Sequence, residues 1–242
     1  MAEEVQNLVA QNFVNLRCFG CELGLLNNTD GSALFSHGNT SVMVGVYGPA
    51  EVRFNKEIVD KATVEVVFRP KTGIPGCAEK AMERLIRNTC DSTIITTLHP
   101  RSAMTIVVQE VCNDGSLLSC CINGACMGML NAGFPMKYLV AAITTAILKD
   151  GEICTDPKAK QEQEAKAVLT FAFESVNKEV VLSSTKGVFT VQQYERCLLV
   201  SCDCAQNIFN FYKTSITRLL SKDVKFMDLN IAKKSIDADE LG

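Results

Sequence analysis

Between Ser116 and Gly133 the chain reads SLLSCCINGACMGMLNAG. The stretch is apolar on nearly every side and studded with small residues, among them Ser119, Gly124, Ala125 and Gly128. The pattern predicts a helix over Leu117–Asn131 with no face suited to water, so it must be sandwiched close against a sheet inside the domain. Asp114-Gly115-Ser116 reads as a turn leading into Ser116 as N-cap, and Gly133 as the C-cap with Pro135 just beyond. Everything else in the chain has to be built around this element.

The flanking segments supply sheets. Ser41–Tyr47 (SVMVGVY), Ala62–Arg69 (ATVEVVFR), Ala103–Cys112 (AMTIVVQEVC) and Tyr138–Leu148 carry the β-branched and alternating patterns of strands, with a short strand at Ile153-Cys154. Asn27–Gly31 and His37-Gly38-Asn39 are turns. Ala167–Phe173 and Val180–Ser184 pair as a hairpin across Val176-Asn177-Lys178. After the loop Lys71–Gly76 comes a helix over Ala78–Cys90, with Ala81, Leu85 and Thr89 inward, Lys80, Arg84 and Arg87 as a basic stripe, and Glu83 spaced to pair with Arg87. Asp156-Pro157 reads as an N-cap and first helical residue ahead of a short charged helix. A long helix, Val191–Leu220, closes the domain. Strands alternating with helices give an α/β or α+β class in a single domain over residues 15–221, with an extension at 1–14 and a mobile charged tail at 222–242.

A net charge of -3 excludes a chain that is a polycation throughout, so any nucleic-acid contact must come from a local basic patch or from partners. The first residues, MAEEVQNL, hold no signal-peptide core, and no apolar stretch is long enough to span a bilayer, so an intracellular protein without membrane contact is expected. The 12 cysteines are then reduced structural thiols by default. Cys18/Cys21 and Cys202/Cys204 have spacings open to zinc, but the first pair falls in a strand-like segment and only His37 and His99 are present, so no metal site is assigned.

Four motifs in fixed order, DGSALFSHGNTSVMVGVYGP (from Asp30), ERLIRNTC (from Glu83), LHPRSAMTIVVQEV (from Leu98) and DGSLLSCCINGACMGMLNAGFPM (from Asp114), resemble the RNase PH family. The likeness runs over about Leu16–Leu220, and YGPAEV, TLHPR and KQEQEAKAVLTFAFES are most similar to ring subunits of the eukaryotic RNA exosome. The resemblance implies two layers of sheet and helix built from βαβ-type units. It also implies 3′-to-5′ RNA processing and degradation, rRNA processing and RNA surveillance included, and residence in nucleus, nucleolus and cytoplasm. The implied partners are other RNase PH-like ring subunits, a cap subunit and RNA, with a homodimer and DNA as further candidates.

Active members of the family hold phosphate with a Thr-Arg or Ser-Arg pair at the start of the central helix. After Ser116 the matching positions here are Leu117 and Leu118, which offer only methyl groups. A missing guanidinium removes about 1.5–3 kcal/mol per charge-assisted hydrogen bond. The family's catalytic aspartate maps to Lys166 or Val168, neither of them acidic. These substitutions imply a non-catalytic subunit needing no cofactor. The alternative is a free homodimer with metal-dependent or residual phosphorolytic nuclease activity, using Asp156, Glu162 or Glu164 with Mg²⁺ or Mn²⁺. Against it, Asp156 reads as a cap, and Glu162 and Glu164, two apart on a helix, point different ways. Arg84 matches a family arginine that touches RNA phosphates, with Arg87 one turn on and Lys71 as a third candidate. Arg101, after Pro100, is expected to hydrogen-bond backbone in its turn.

Overall fold

The computed structural model describes the backbone of residues 16–239 and the side chains of residues 16–221, so the extension read at 1–14 lies outside the described residues. Among the described residues, nine strands form two sheets. The first is five-stranded: β1 (Phe19–Leu23), β2 (Gly31–His37), β3 (Thr40–Glu51), β4 (Thr63–Arg69) and β5 (Ser102–Cys112), in the order β1-β2-β3-β5-β4. The second is four-stranded and antiparallel: β6 (Val140–Ile147), β7 (Ile153–Thr155), β8 (Ala167–Glu174) and β9 (Val180–Gly187), in the order β7-β6-β8-β9. The expected hairpin of β8 and β9 is present.

Four α-helices complete the fold: α1 (Cys77–Thr93), α2 (Leu117–Ala132), α3 (Ala159–Glu164) and α4 (Val191–Asp239). One βαβ unit of the expected kind is found, β4-α1-β5, whose strands pair in parallel. The connection β5-α2-β6 leaves one sheet and enters the other, which puts α2 between them.

That placement is what the composition of α2 demands. Residues Ser119 to Met129 are all buried, and the helix packs on β2 and β3 with one side and on β6 with the other. A Cβ added to Gly124 would come within 3.0 Å of a Val42 methyl, and one on Gly128 within 3.1 Å of Val46. The glycines let the helix sit that close to the valines of β3. On the second side Asn123 docks the helix to β6. Its amide donates to Ala142 O at 2.9 Å, its oxygen accepts from Ala142 N–H at 2.7 Å, and Tyr212 Oη of α4 donates to the same oxygen at 3.0 Å. All three residues are fully buried, so the polar cluster is satisfied in place.

Three sequence expectations are corrected. On α1 the inward residues are Ile86, Thr89, Cys90 and Thr93, while Ala81 is exposed. Glu83 does not reach Arg87: it pairs with Lys80 at 2.9 Å and accepts from Phe68 N–H at 3.1 Å, which anchors α1 to β4. The last helix does not stop near Leu220 but continues to Asp239, through the segment read as a tail, where no glycine or proline interrupts it.

Candidate functional site

The N-terminus of α2 opens into a cleft of about 580 Å³ bounded by α1, α2, α3, β8 and β9. Its loop, Asn113 to Ser116, is bonded on all sides. Thr40 Oγ1 accepts from Asp114 N–H at 3.0 Å and donates to Gly115 O at 2.7 Å, and Ala159 N–H donates to Asp114 O at 3.1 Å. Gly115 sits at φ 89°, and a Cβ there would strike the Pro157 carbonyl, so glycine is required.

Ser116 is not the side-chain cap that the sequence suggests. It adopts φ 55°, its hydroxyl donates to Pro157 O at 3.1 Å, and no side-chain cap bond is made. The free amide of Ser116 is instead taken by Glu162 of α3, whose Oε1 accepts from it at 2.6 Å. Burial pushes the Glu162 carboxyl up from its ordinary value, against the opposing pull of the Ser116 N–H and of the charges on Lys186 and Arg17. Leu117 and Leu118 line the cleft beside this contact, with Met82 and Leu85 of α1 adding to the apolar floor. Of the two positions that could match the family's aspartate, Val168 lines the cleft and Lys166 is exposed at the start of β8. The β8–β9 wall of the cleft thus presents Val168 where the family's aspartate could fall, beside Thr170, Ser184 and Lys186.

Asp156 has a different role from the predicted cap. Helix α3 begins after Lys158, and Asp156 precedes it at φ 54° with its side chain fully buried. Arg17 brackets it, with Nε donating to Oδ2 at 2.6 Å, a second guanidinium nitrogen to Oδ1 at 2.5 Å, and its backbone N–H to Oδ2 at 3.2 Å. The same guanidinium donates to Asp114 O at 3.1 Å and Gly115 O at 3.4 Å. His37 Nε2 lies 2.9 Å from Oδ2, off the line of a good hydrogen bond, with its ring tilted against Phe19 at 4.5 Å between centroids. Burial alone would raise the Asp156 carboxyl, but the bonds and charges of Arg17 and His37 outweigh it and hold the group well below the usual carboxylate range. Asp156 is therefore a buried strut that ties residue 17, the phosphate-type loop and the approach to α3 together.

The nuclease alternative needs carboxylates that converge, and these do not. Both oxygens of Asp156 are held by Arg17, Glu162 is bonded to Ser116, and Glu164 is exposed on α3. These residues do not fit Mg²⁺ or Mn²⁺, and among the described residues no group of three or more His, Cys, Asp or Glu could hold a metal ion. Cys18 and Cys21 flank the start of β1, while Cys202 and Cys204 lie on α4.

The cationic candidates sit outside the cleft. Arg84 and Arg87 are exposed on α1, and Lys71 is exposed in the loop before it. Arg101 adopts φ 58°, its N–H donates to the Ile58 carbonyl at 3.3 Å, and its Nε lies 3.7 Å from Glu57 Oε1. Sequence reasoning missed Arg17, His37 and Lys186. The first two act on a residue more than a hundred positions away, and no local spacing marks them.

Comparisons with known proteins identify the family and the fold. Residues 15–135 match the model for domain 1 of the 3′ exoribonuclease family, and residues 138–204 match its domain 2. The chain is 32% identical over 225 residues to the exosome complex exonuclease RRP46 homolog of Oryza sativa, covering 86% of this chain and 94% of that protein. It is 31% identical to exosome complex component RRP46 of Saccharomyces cerevisiae, covering 84% and 95%. The crystal structure of rice Rrp46 superposes with a TM-score of 0.81 at 35% identity, covering 86% of this chain and 98% of that one. An Archaeoglobus fulgidus exosome with RNA bound to the active site shares the fold, with a TM-score of 0.73 at 17% identity, covering 87% and 96%. With the two family domains matched across both sheets and a central helix lodged between them, this chain belongs to the 3′ exoribonuclease (RNase PH) family.

Proposed function

We propose that this chain is a non-catalytic ring subunit of the RNA exosome. In this role it supports 3′-to-5′ RNA processing and degradation by assembly and by contact with RNA in the ring channel. The observation that carries the reading is the start of α2, where Leu117 and Leu118 face the cleft at the two positions after the loop that would carry a hydroxyl and a cation to grip an attacking anion. Phosphorolysis needs a held phosphate and stabilisation of the charge that develops on it. The likeness to RRP46 proteins, over 84% to 86% of this chain, supports the assembly half of the reading. Its finer parts are a cap subunit lying over the ring, and work in nucleus, nucleolus and cytoplasm.

Two measurements test it. Purified with other RNase PH-like ring subunits, the chain should co-elute in a larger assembly; persistent elution alone would count against the ring role. A stable self-pair that cleaves RNA or DNA would favour the nuclease alternative instead. Incubated alone with labelled RNA and inorganic phosphate, the chain should leave the strand at full length.

A further inference from the structure

A helix N-terminus carries roughly half a positive charge and free amides, which is why phosphate settles at such places. In this molecule the position already holds an anion. Glu162 Oε1 sits 2.6 Å from the Ser116 amide nitrogen, and the placement is enforced from both sides. The segment leading into α3 is stitched to the α2 loop by Ala159 N–H on Asp114 O at 3.1 Å and by Ser116 Oγ on Pro157 O at 3.1 Å. Arg17 then pins both strands of that seam through Asp156, Asp114 O and Gly115 O. Glu162 extends into the cleft from a fixed base rather than from a loose surface helix.

We infer that Glu162 is a resident anion that excludes inorganic phosphate from the cleft, a second lock independent of the lost side-chain grip at Leu117 and Leu118. A phosphate brought to the Ser116 amide would have to displace the carboxylate or lie against it. At about 4 Å, two like charges in a half-buried site disfavour the second by on the order of a hundredfold or more. The consequence is specific. Restoring a guanidinium at Leu118 does not by itself restore phosphate binding, because Glu162 captures the new cation as an ion pair. Both changes are needed together. This inference deepens the non-catalytic reading and rests on the same cleft, but it concerns affinity for the anion and not turnover.

The test uses inorganic phosphate as the probe, at constant ionic strength, on four full-length proteins: wild type, Leu118→Arg, Glu162→Gln, and the double variant. Titration calorimetry should find no binding to wild type, and binding to the double variant at least tenfold tighter than to Leu118→Arg. A measurement on wild type keeps the idea testable if a variant fails to fold: the amide proton of Ser116 should shift with pH as the bonded Glu162 carboxyl titrates. The inference is overturned if Leu118→Arg binds phosphate as tightly as the double variant, if the double variant binds none, or if the Ser116 amide is blind to pH across the carboxylate range. Any of these, with RNA left intact by the wild type, removes the lock and leaves the ring reading standing. Phosphate-dependent shortening of RNA by the wild type would remove the ring reading's non-catalytic half.

Discussion

Asp156 and Arg17 stand 139 positions apart in the chain, yet their contact is the most constrained one at the site. The carboxylate is fully buried and the guanidinium nearly so. Removing one partner of such a pair strands the other charge in the interior, which typically costs about 3–5 kcal/mol. Asp156→Asn should therefore lower the unfolding free energy by about that amount, read as a shift in the urea midpoint with the slope unchanged. The pH dependence has a definite sign. The folded Asp156 carboxyl lies well below its unfolded value, so its contribution is present above the ordinary aspartate range and drains away as pH falls below about 4. Glu162 is shifted the other way, so its protonation, somewhat above the ordinary glutamate value, slightly favours the folded state. Urea curves between pH 7 and 3 should show wild type losing stability at the acid end, with Asp156→Asn flatter there. Parallel losses in the two proteins would rule the strut out. That the start of α2 presents only methyl groups at two successive positions was legible in two letters, Leu117 and Leu118. The bond from Ser116 to Glu162 was not, because it spans 46 positions and depends on how α3 docks. Asp156 misled for the same reason: Asp-Pro is a good helix start locally, and only the fold reveals the arginine waiting for it.

At the scale of elements, α2 determines where both sheets can lie. Its seven-residue centre from Cys120 to Cys126 is buried without exception, so each side chain there fits one wall or the other. Asn123 holds the β6 wall. Replacing it with leucine would keep the volume but leave the Ala142 N–H and C=O, both deep in the interior, without partners. At about 1–3 kcal/mol for each unmet group, Asn123→Leu should destabilise by on the order of 2–6 kcal/mol, measurable by denaturant unfolding. The β3 wall makes the opposite demand. Gly128→Val would press new methyls into Val44 and Val46, and overpacking of this kind costs about 1–3 kcal/mol. The small residues that require this closeness were readable in the sequence, as were the strand patterns to within a few residues. That α2 separates two sheets was not legible: its composition asked only for close burial against a sheet, and the second sheet comes from how the chain folds after it. The full length of α4 escaped notice because a charged, breaker-free run reads equally well as tail or helix.

The whole molecule separates its two RNA-related features in space. At the cleft the start of α2 presents Leu117, Leu118 and the Ser116–Glu162 contact, while Arg84 and Arg87 are exposed on α1 and are not among the residues that line it. Glu83, the neighbour expected to neutralise Arg87, is committed to Lys80 and to the Phe68 amide, and among the described residues neither arginine forms an ion pair. A ring subunit that guides a passing strand would use such exposed cations, since phosphate contacts position nucleic acid without reading its sequence. The overall charge of -3 makes a patch of this kind the natural place for contact, because the rest of the surface repels a polyanion. Substituting Arg84 and Arg87 together with glutamate should weaken single-stranded RNA binding in the assembled ring. Each lost phosphate contact reduces the slope of log affinity against log salt by about 0.7, so two give a drop of about 1.4. The unfolding midpoint should stay put, because neither side chain is buried. An unchanged salt slope with intact assembly would mean that RNA passes this subunit along another face.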